Sequence, residues 1–376
     1  MAINDALLSG KTVDATVNST YAGRIARLLD ERNNTSFAAE NAPPVNVDKH
    51  QLREESNDVS LDVTICSHGA SKISLYPWAN LLDDRRVRKL NVSWIDSTDD
   101  VILTGWLPHF SGGWLEGSWL SLDAGHVVVV DLDLNDLYDL KHGGNIKVTA
   151  DGYVTVRTNG TTVGYHYLSN DLLMSPTRDD IHPPPGGMDP PSGLAMMYTC
   201  NHQQMADLEN AILGCQTLAE GATAAAANEP NRFNDYFHNR DPDQYVNYAR
   251  DKFNAVAHEC VPRAWTQGRI TCIDNVFECE WDSLATTQPY TGRILICPAG
   301  FILPVFTQHC HVQDMATTVL HEVTHLYGVH HPTLDFSYSI GADVWPGCKS
   351  LPDYLAKYSA ETYASYAQCE KRQAQS

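Results

Sequence analysis

The segment His321–His325 places two histidines and a glutamate, Glu322, at a spacing suited to metal chemistry. Apolar residues at helical intervals surround it, and Gly328 follows as a stop signal. Because residues four positions apart share one face of a helix, the two imidazoles can hold one metal ion from the same side. Glu322 can then take a proton from a metal-bound water, whose pKa zinc lowers towards neutrality. The pattern therefore predicts metal-assisted hydrolysis, which is the chemistry of zinc peptidases.

Two residues compete for the third ligand position. His331 lies six residues after His325 and completes a longer three-histidine pattern. That pattern needs a methionine turn further along the chain, and the last methionine in the sequence is Met315. The alternative is Asp335, whose carboxylate can bind zinc, with Tyr338 three residues on to donate a hydrogen bond to the developing oxyanion. The residues alone leave both candidates open.

Three segments of the C-terminal half resemble a known family. Residues 199–369 are similar to the deuterolysin, or aspzincin, family of secreted fungal metalloendopeptidases. The similarity is carried by His321–His325, Thr333–Tyr338 and Ala360–Ala367, and by the cysteine spacing. The resemblance implies a zinc-dependent endopeptidase that hydrolyses peptide bonds in proteins, with a Glu-activated water as the nucleophile.

The resemblance also implies the ligand set. In the family the third zinc ligand is the aspartate of an Asp-x-x-Tyr-Gly motif preceded by Gly-Thr, which corresponds to Asp335 here. This sequence keeps Thr333 and Tyr338 but has Pro332 for the first glycine and Ser339 for the last. On this resemblance we favour Asp335 as the third ligand and keep His331 as the second choice. We therefore expect one Zn²⁺ per chain, held by His321, His325 and Asp335, and an oxyanion contact from Tyr338.

Glu361 is expected to contact the substrate. The family carries an aspartate at this position, near the pocket for the side chain after the cut bond. A carboxylate there favours lysine or arginine by charge pairing. Strictly lysine-specific relatives have a second acid three residues on, where this chain has Ala364. The resemblance therefore predicts a mild preference for basic residues after the cut.

Cysteine usage indicates a disulfide-stapled domain. Nine of the ten cysteines lie at or beyond Cys200, as in secreted proteins. By resemblance to the family, the expected pairs are Cys200 with Cys272, Cys279 with Cys297, Cys310 with Cys369 and, as a plausible fourth, Cys215 with Cys260. Cys66 and Cys348 remain, either as a bond that tethers the two halves of the chain or as free thiols.

Composition limits the possible partners. The chain has 376 residues, which predicts two domains, and 43% of them are hydrophobic, enough for buried cores. Its net charge of −20 argues against nucleic acid and anionic membranes as partners. No run of apolar residues is long enough for a transmembrane helix. Residues Met1–Ala6 lack the features of a signal peptide. We nevertheless expect a secreted, monomeric protein whose leader is not visible in this sequence and whose substrates are proteins or peptides, including basic proteins.

Several sequence triplets also suit an extracellular glycoprotein. Each has the form Asn-x-Ser/Thr, the acceptor pattern for N-glycosylation. The asparagines are Asn18, Asn33, Asn34, Asn91 and Asn159.

Changes in sequence pattern divide the chain into four segments. Residues 1–56 are polar and are expected to be flexible. Residues 57–174 contain short alternating strands separated by turn signals, which predicts an antiparallel β-sandwich. Residues 175–197 form a Pro/Gly-rich linker, and 198–376 hold an α+β zincin domain with helices beside a small sheet.

The β-sandwich has two interpretations. The stretch Ser121–Val127, with Gly143 and Gly144, is similar to the propeptide domain of the same family. This resemblance implies a zymogen whose own propeptide domain is its inhibitor and whose linker is the place of cleavage. The alternative is an unrelated sandwich that binds carbohydrate or protein.

The competing hypothesis for the whole chain is a non-catalytic secreted zinc-binding protein on the same fold. Such proteins tend to lose the catalytic glutamate and to gain a tail rich in His and Cys. This chain keeps Glu322, and its tail 370–376 contains neither residue type. These two features favour the enzyme.

Overall fold

The chain divides into two compact units in the computed structural model. Unit 1 comprises Met1–Gly105 and Leu115–Gly186, and unit 2 comprises Trp106–Trp114 and Gly187–Ser376. The structure describes residues 12–19, 45–46, 59–67, 72–78, 80–97, 99, 101–110, 119–158, 161–169, 171–176, 199–238, 242–261, 270–274, 278–279, 283–335, 351 and 353–370.

Unit 1 is built almost entirely from strands, which are numbered here along the whole chain, with β7 belonging to unit 2. They are β1 (Thr12–Ser19), β2 (Val45–Asn46), β3 (Ser60–Ser67), β4 (Ile73–Leu75), β5 (Asn91–Trp94), β6 (Ile102–Leu103), β8 (Leu120–Leu122), β9 (Val127–Asp133), β10 (Tyr138–Asp139), β11 (Ile146–Thr149), β12 (Asp151–Thr158), β13 (Thr161–Ser169) and β14 (Leu172–Met174), with one helical turn, α1 (Leu134–Leu137).

These strands form one large sheet and two small ones. The large sheet has the order β8-β4-β12-β13-β1-β2-β3-β9, and the small sheets are β14-β11-β5 and β10-β6. β1 runs parallel to β13 and antiparallel to β3, so the large sheet is mixed rather than purely antiparallel. Thr12–Ser19 lies within the segment 1–56 that was expected to be flexible, and it forms strand β1 of this sheet. Four of its eight residues are β-branched, which suits a strand.

Unit 2 packs helices beside a small sheet, as expected for an α+β protease domain. Its helices are α2 (His202–Asn228), α3 (Pro230–Phe237), α4 (Pro242–Glu259), α5 (Met315–Thr324), α6 (Asp353–Ala356) and α7 (Ala360–Glu370), with a 3-10 turn at Pro298–Ile302. Its strands are β7 (Leu107–Phe110), β15 (Ile270–Thr271), β16 (Ser283–Gln288) and β17 (Arg293–Ile296), in the order β15-β17-β16-β7.

Helix α2 forms the centre of the unit 2 core. Asn201 begins it with a capping box, in which Asn201 and Gln204 each bond the other's backbone N–H. Its apolar face packs against α4, α5 and α7. At Gly214 the helix comes so close to α5 that an added Cβ would lie 2.7 Å from the Cβ of Ala316. The absence of a side chain at Gly214 therefore sets the position of α5, which carries the predicted metal ligands.

Four disulfide bonds fasten these elements, and they are the four pairs expected from the sequence. They are Cys200–Cys272, Cys215–Cys260, Cys279–Cys297 and Cys310–Cys369. The second joins α2 to the end of α4, and the fourth joins the segment before α5 to α7. Cys348 and the side chain of Cys66 lie outside the described residues, so their state stays open.

Among the described residues, no helix combines the length and the apolar character needed to cross a membrane.

Candidate active site

Helix α5 carries the central segment of the site. Asp314 caps its first turn by accepting hydrogen bonds from the backbone N–H groups of Thr317 and Thr307, each at 2.7 Å. Every residue of the helix is buried, and His325 follows its last residue, Thr324, as the C-cap. The rings of His321 and His325 lie 4.9 Å apart on one face. The expected helix and the shared face of the two imidazoles are thus both present.

The turn after α5 brings Asp335 back to the two histidines. The backbone N–H of Thr333 donates to the carbonyl of Thr324 at 3.0 Å, and their hydroxyls lie 2.6 Å apart. Leu334 then bonds through its backbone to Tyr358 and Ala360 at the start of α7. Asp335 follows directly, so its position is fixed from both α5 and α7.

Three side chains meet at this point. Nε2 of His321 lies 2.9 Å from one carboxylate oxygen of Asp335, and Nε2 of His325 lies 3.4 Å from the other. The ligand atoms of the three residues all lie within 4.8 Å of one another. Both Nε2 atoms and Oδ2 of Asp335 are buried without a hydrogen bond in the described part of the chain. Two imidazoles and a carboxylate are the donor set of catalytic zinc sites, so these residues fit a metal.

The charged groups of the site shift one another's pKa values. Burial disfavours the charged form of Asp335, but the adjacent His325 and His321 hold the pKa of this carboxyl far below its usual range. Burial also opposes the charged form of His321, yet Asp335 and Glu361 raise the pKa of its imidazole well above the usual value. The carboxylates of Asp335 and Glu361 thus favour a positive charge at His321. A metal cation bound beside Asp335 would also supply a positive charge there.

The far nitrogen of each histidine is held by a neighbouring group. His325 Nδ1 donates to the carbonyl of Thr333 at 2.9 Å, and His321 Nδ1 donates to Oε2 of Glu361 at 3.0 Å. Each bond keeps the proton on Nδ1 and leaves Nε2 free to bind a metal. Glu361 is itself buried and accepts a bond from Ser365 at 3.3 Å. The expectation from sequence concerned only its contact with substrate; its contact with His321 was missed.

Glu322 directly follows His321 in α5 and is completely buried. The hydroxyl of Thr287 on β16 donates to its Oε2 at 2.7 Å. Its other oxygen, Oε1, lies 3.4 Å from Nδ1 of His109 on β7. Neither Thr287 nor His109 was found from the sequence, because no local pattern connects them with the helix.

Lys252 of α4 holds the turn that follows α5. Its ammonium donates to the carbonyls of Thr324, Val329 and His331 at 2.7–2.8 Å, with that of His330 at 3.2 Å. The side chain is completely buried, which lowers the pKa of Lys252 well below that of an exposed lysine. The four carbonyl oxygens in turn favour its charged form. A lysine in a helical apolar pattern gave no sign of this role.

The remaining candidates lie elsewhere. The backbone carbonyl of His331 points to Lys252, and its ring stacks on Tyr248 with centroids 6.2 Å apart. Among the described residues the ligand cluster with the two histidines of α5 contains Asp335 and not His331. Tyr338 lies outside the described residues.

A buried pair of helix histidines, a glutamate between them and a convergent aspartate define a metallopeptidase site on an α+β unit. The sequence profile of the deuterolysin metalloprotease (M35) family matches residues 19–374, and the chain belongs to that family. The resemblance expected from the sequence is confirmed, and the protein is a zinc metalloendopeptidase.

Individual relatives agree with this assignment. A neutral protease 2 homolog of Arthroderma gypseum is 30% identical over 318 residues, which cover 81% of this chain and 86% of the relative. A probable neutral protease 2 homolog of Arthroderma benhamiae is 30% identical over 84% of this chain and 90% of its own length. Penicillolysin of Penicillium citrinum is 29% identical over 83% and 88%.

Proposed function

We propose that the chain binds one zinc ion through His321, His325 and Asp335 and uses it to hydrolyse internal peptide bonds of proteins. The observation that carries this proposal is the meeting of two unbonded Nε2 atoms and a carboxylate within 4.8 Å, next to the buried Glu322. A zinc ion bound there would polarise the substrate carbonyl and make a coordinated water more acidic.

The roles of the protein groups follow from their contacts. Glu322 accepts the proton of the attacking water and passes it to the leaving amine. Thr287 holds one oxygen of Glu322, which leaves Oε1 as the proton acceptor. Glu361 and Thr333 orient the two imidazoles. Tyr338 donates to the developing oxyanion; this role is supported by its place in the family motif.

Residues 57–174 act as a propeptide-like β-sandwich domain that keeps the enzyme latent until the linker 175–197 is cut. The similarity of Ser121–Val127 to the family propeptide supports this role. The four disulfide bonds among the described residues support an extracellular, oxidising location. The enzyme is proposed to act as a monomer.

The substrate preference assigned to Glu361 is a mild excess of lysine or arginine after the cut. It is supported by the negative charge of the site and by the family position of this residue. To test this preference, kcat/KM is measured for two peptides that differ only in having Lys or Leu after the cut, in the wild type and in Glu361→Gln. The ratio of the two kcat/KM values falls towards one if Glu361 pairs with the substrate. An equal loss for both peptides, with the ratio unchanged, would assign Glu361 only to orienting His321.

The function itself is tested by digestion of casein and of protamine, before and after cleavage at a protease site engineered into residues 175–197. We expect cleavage by the cut chain, loss of cleavage with a chelator, and recovery with added zinc. His331→Ala should retain the zinc and Asp335→Ala should lose it. A chain that binds one zinc and cleaves neither protein in either form would instead be the non-catalytic zinc-binding protein.

A further inference from the structure

One short segment belongs to unit 2 although its chain neighbours on both sides belong to unit 1. Trp106–Trp114 lies in the sequence between Gly105 and Leu115, which both belong to unit 1. Trp106 is buried against Leu295 and Cys297. The segment is thus part of the protease unit by its contacts.

Strand β7 of this segment occupies the edge of the protease sheet. It pairs antiparallel with β16, with Leu107 opposite Thr287 and His109 opposite Ala285. In the described sheet β16 lies between β17 and β7, so without β7 it would be the edge strand. A free strand edge binds extended peptides through its backbone N–H and C=O groups. Because Thr287 of β16 also touches Glu322, a peptide bound on this edge would lie beside the catalytic base.

The side chain of His109 reaches the catalytic groups from β7. Its ring is buried and stacks on that of His321, with centroids 3.8 Å apart and planes 9° apart. Its Nε2 lies 3.1 Å from the amide nitrogen of Gln313, which favours a proton on Nδ1. That Nδ1 lies 3.4 Å from Oε1 of Glu322. Thr287 takes the other oxygen, so both oxygens of Glu322 face groups of the chain itself.

We propose that β7 is a built-in inhibitory peptide, which fills the substrate edge of β16 while His109 blocks the proton-accepting oxygen of Glu322. This inference rests on the proposed function and names the strand and the side chain that hold the enzyme latent. It assigns to His109 a positioning and blocking role in the latent chain, and none in the active enzyme.

Three features of β7 weaken its pairing with β16 and favour its release. It has only four residues, and the register against β16 is interrupted between Ser283 and Ala285. Pro108, opposite Thr286, has no N–H to donate to the sheet. β7 also precedes the linker 175–197 in the sequence, so after a cut there it remains covalently part of the released N-terminal fragment.

The test uses the full-length, uncut chain as wild type, His109→Ala and His142→Ala, the last being a control at an exposed histidine. Hydrolysis of a quenched peptide should rise about tenfold or more in His109→Ala and stay unchanged in the control. Amide hydrogen exchange across Ser283–Gln288 should rise in His109→Ala, since loss of the His109 contacts favours release of β7. This second readout does not depend on activity. His109→Gln, which keeps a donor towards Glu322, should be less active than His109→Ala.

A synthetic copy of residues 105–110 gives a second measurement that needs no buried substitution to fold. It should inhibit the wild-type chain cut at the linker, and the same peptide carrying His109→Ala should inhibit far less. Equal hydrolysis by uncut wild type and His109→Ala, with the cut chain active, would overturn this inference alone. A fall in cut-chain activity caused by His109→Ala would make His109 a catalytic residue and also overturn it. No hydrolysis by any form would overturn the proposed function as well.

Discussion

Strand β9 begins with apolar residues and is partly exposed, whereas β16 is mostly polar and is buried. β9 begins with four valines, yet Val127 is 52% and Val129 58% exposed. β16 reads Ser-Leu-Ala-Thr-Thr-Gln, and all six residues are buried. β9 ends its sheet, whereas β16 has a neighbour on each side. In this protein buried polar side chains, rather than apolar runs, mark the region that does chemistry.

The difference has a physical cause. A buried hydroxyl or charge costs free energy unless a partner replaces the lost water. On β16 and around α5 such partners exist, as in Thr287 with Glu322 and Lys252 with the carbonyls after α5. Changes to these buried groups should therefore have large effects, and changes on β9 small ones.

The largest effect on stability is expected from Lys252→Met. This change leaves the carbonyls at the end of α5 buried without their donor, and we expect a loss of about 3–5 kcal/mol in the free energy of unfolding. Urea unfolding measures it. The control is Lys147→Met, whose exposed pair with Asp171 at 3.6 Å contributes about 0–1 kcal/mol. Similar losses in the two variants would contradict the role of Lys252.

A smaller effect is expected from two adjacent threonines of β16. Thr287→Val removes the hydrogen bond to Glu322 and should cost about 1–3 kcal/mol of stability and lower kcat. Thr286 carries a buried hydroxyl with no hydrogen-bond partner in the described part of the chain. Thr286→Val should therefore be neutral or stabilising. Thermal unfolding and peptide hydrolysis are measured for both variants. Equal stability and equal kcat in the two would contradict the role given to Thr287.

Two glycines of α2 provide the next comparison. In Gly214→Ala the added methyl group would clash with Ala316 of α5. Overpacking lowers the free energy of unfolding and the higher helix propensity of alanine raises it, so we expect a net loss of about 1–2 kcal/mol. At Gly221 an added Cβ meets no described atom within 4 Å. Gly221→Ala should stabilise by about 0.5–1 kcal/mol. Denaturant midpoints that move in the same direction would contradict the close approach of α2 and α5.

The smallest effect is expected on β9. Val129→Thr exchanges an exposed valine for another β-branched residue, so the change in stability should stay within about 0.5 kcal/mol. A loss above about 1 kcal/mol, read from the unfolding midpoint, would show that β9 is covered in solution and would weaken the comparison with β16.

The sequence predicted the parts of the site that follow local rules. The helix around His321 and His325 and the α+β character of the protease unit follow from spacing and cap residues, and the role of Glu322 stays a prediction from the same spacing. The four disulfide pairs followed from family resemblance rather than from physics. Asp335 was also preferred over His331 as the third ligand because of the family resemblance. The turn held by Lys252 explains how the chain returns Asp335 to His321 and His325.

The rest depends on contacts that no local pattern encodes. Lys252 lies 72 residues before the carbonyl of Thr324 that it binds, and His109 lies 204 residues before Gln313. Leu107–Phe110 has no alternation that marks it as a strand of the protease sheet. Thr12–Ser19 was overlooked because the surrounding segment is polar and its parallel partner, β13, is distant in sequence. Such pairings are chosen by the folded chain as a whole.

The central claim is that Glu322 is the proton acceptor at a metal site it does not itself ligate. The most direct test is Glu322→Gln in the chain cut at the linker, with zinc content and casein hydrolysis measured on the same samples. Glutamine keeps the size of the side chain and an acceptor for Thr287, so zinc should remain at one per chain. Hydrolysis should fall by about 10²–10⁴-fold. Hydrolysis at the wild-type rate with zinc still bound would contradict the account.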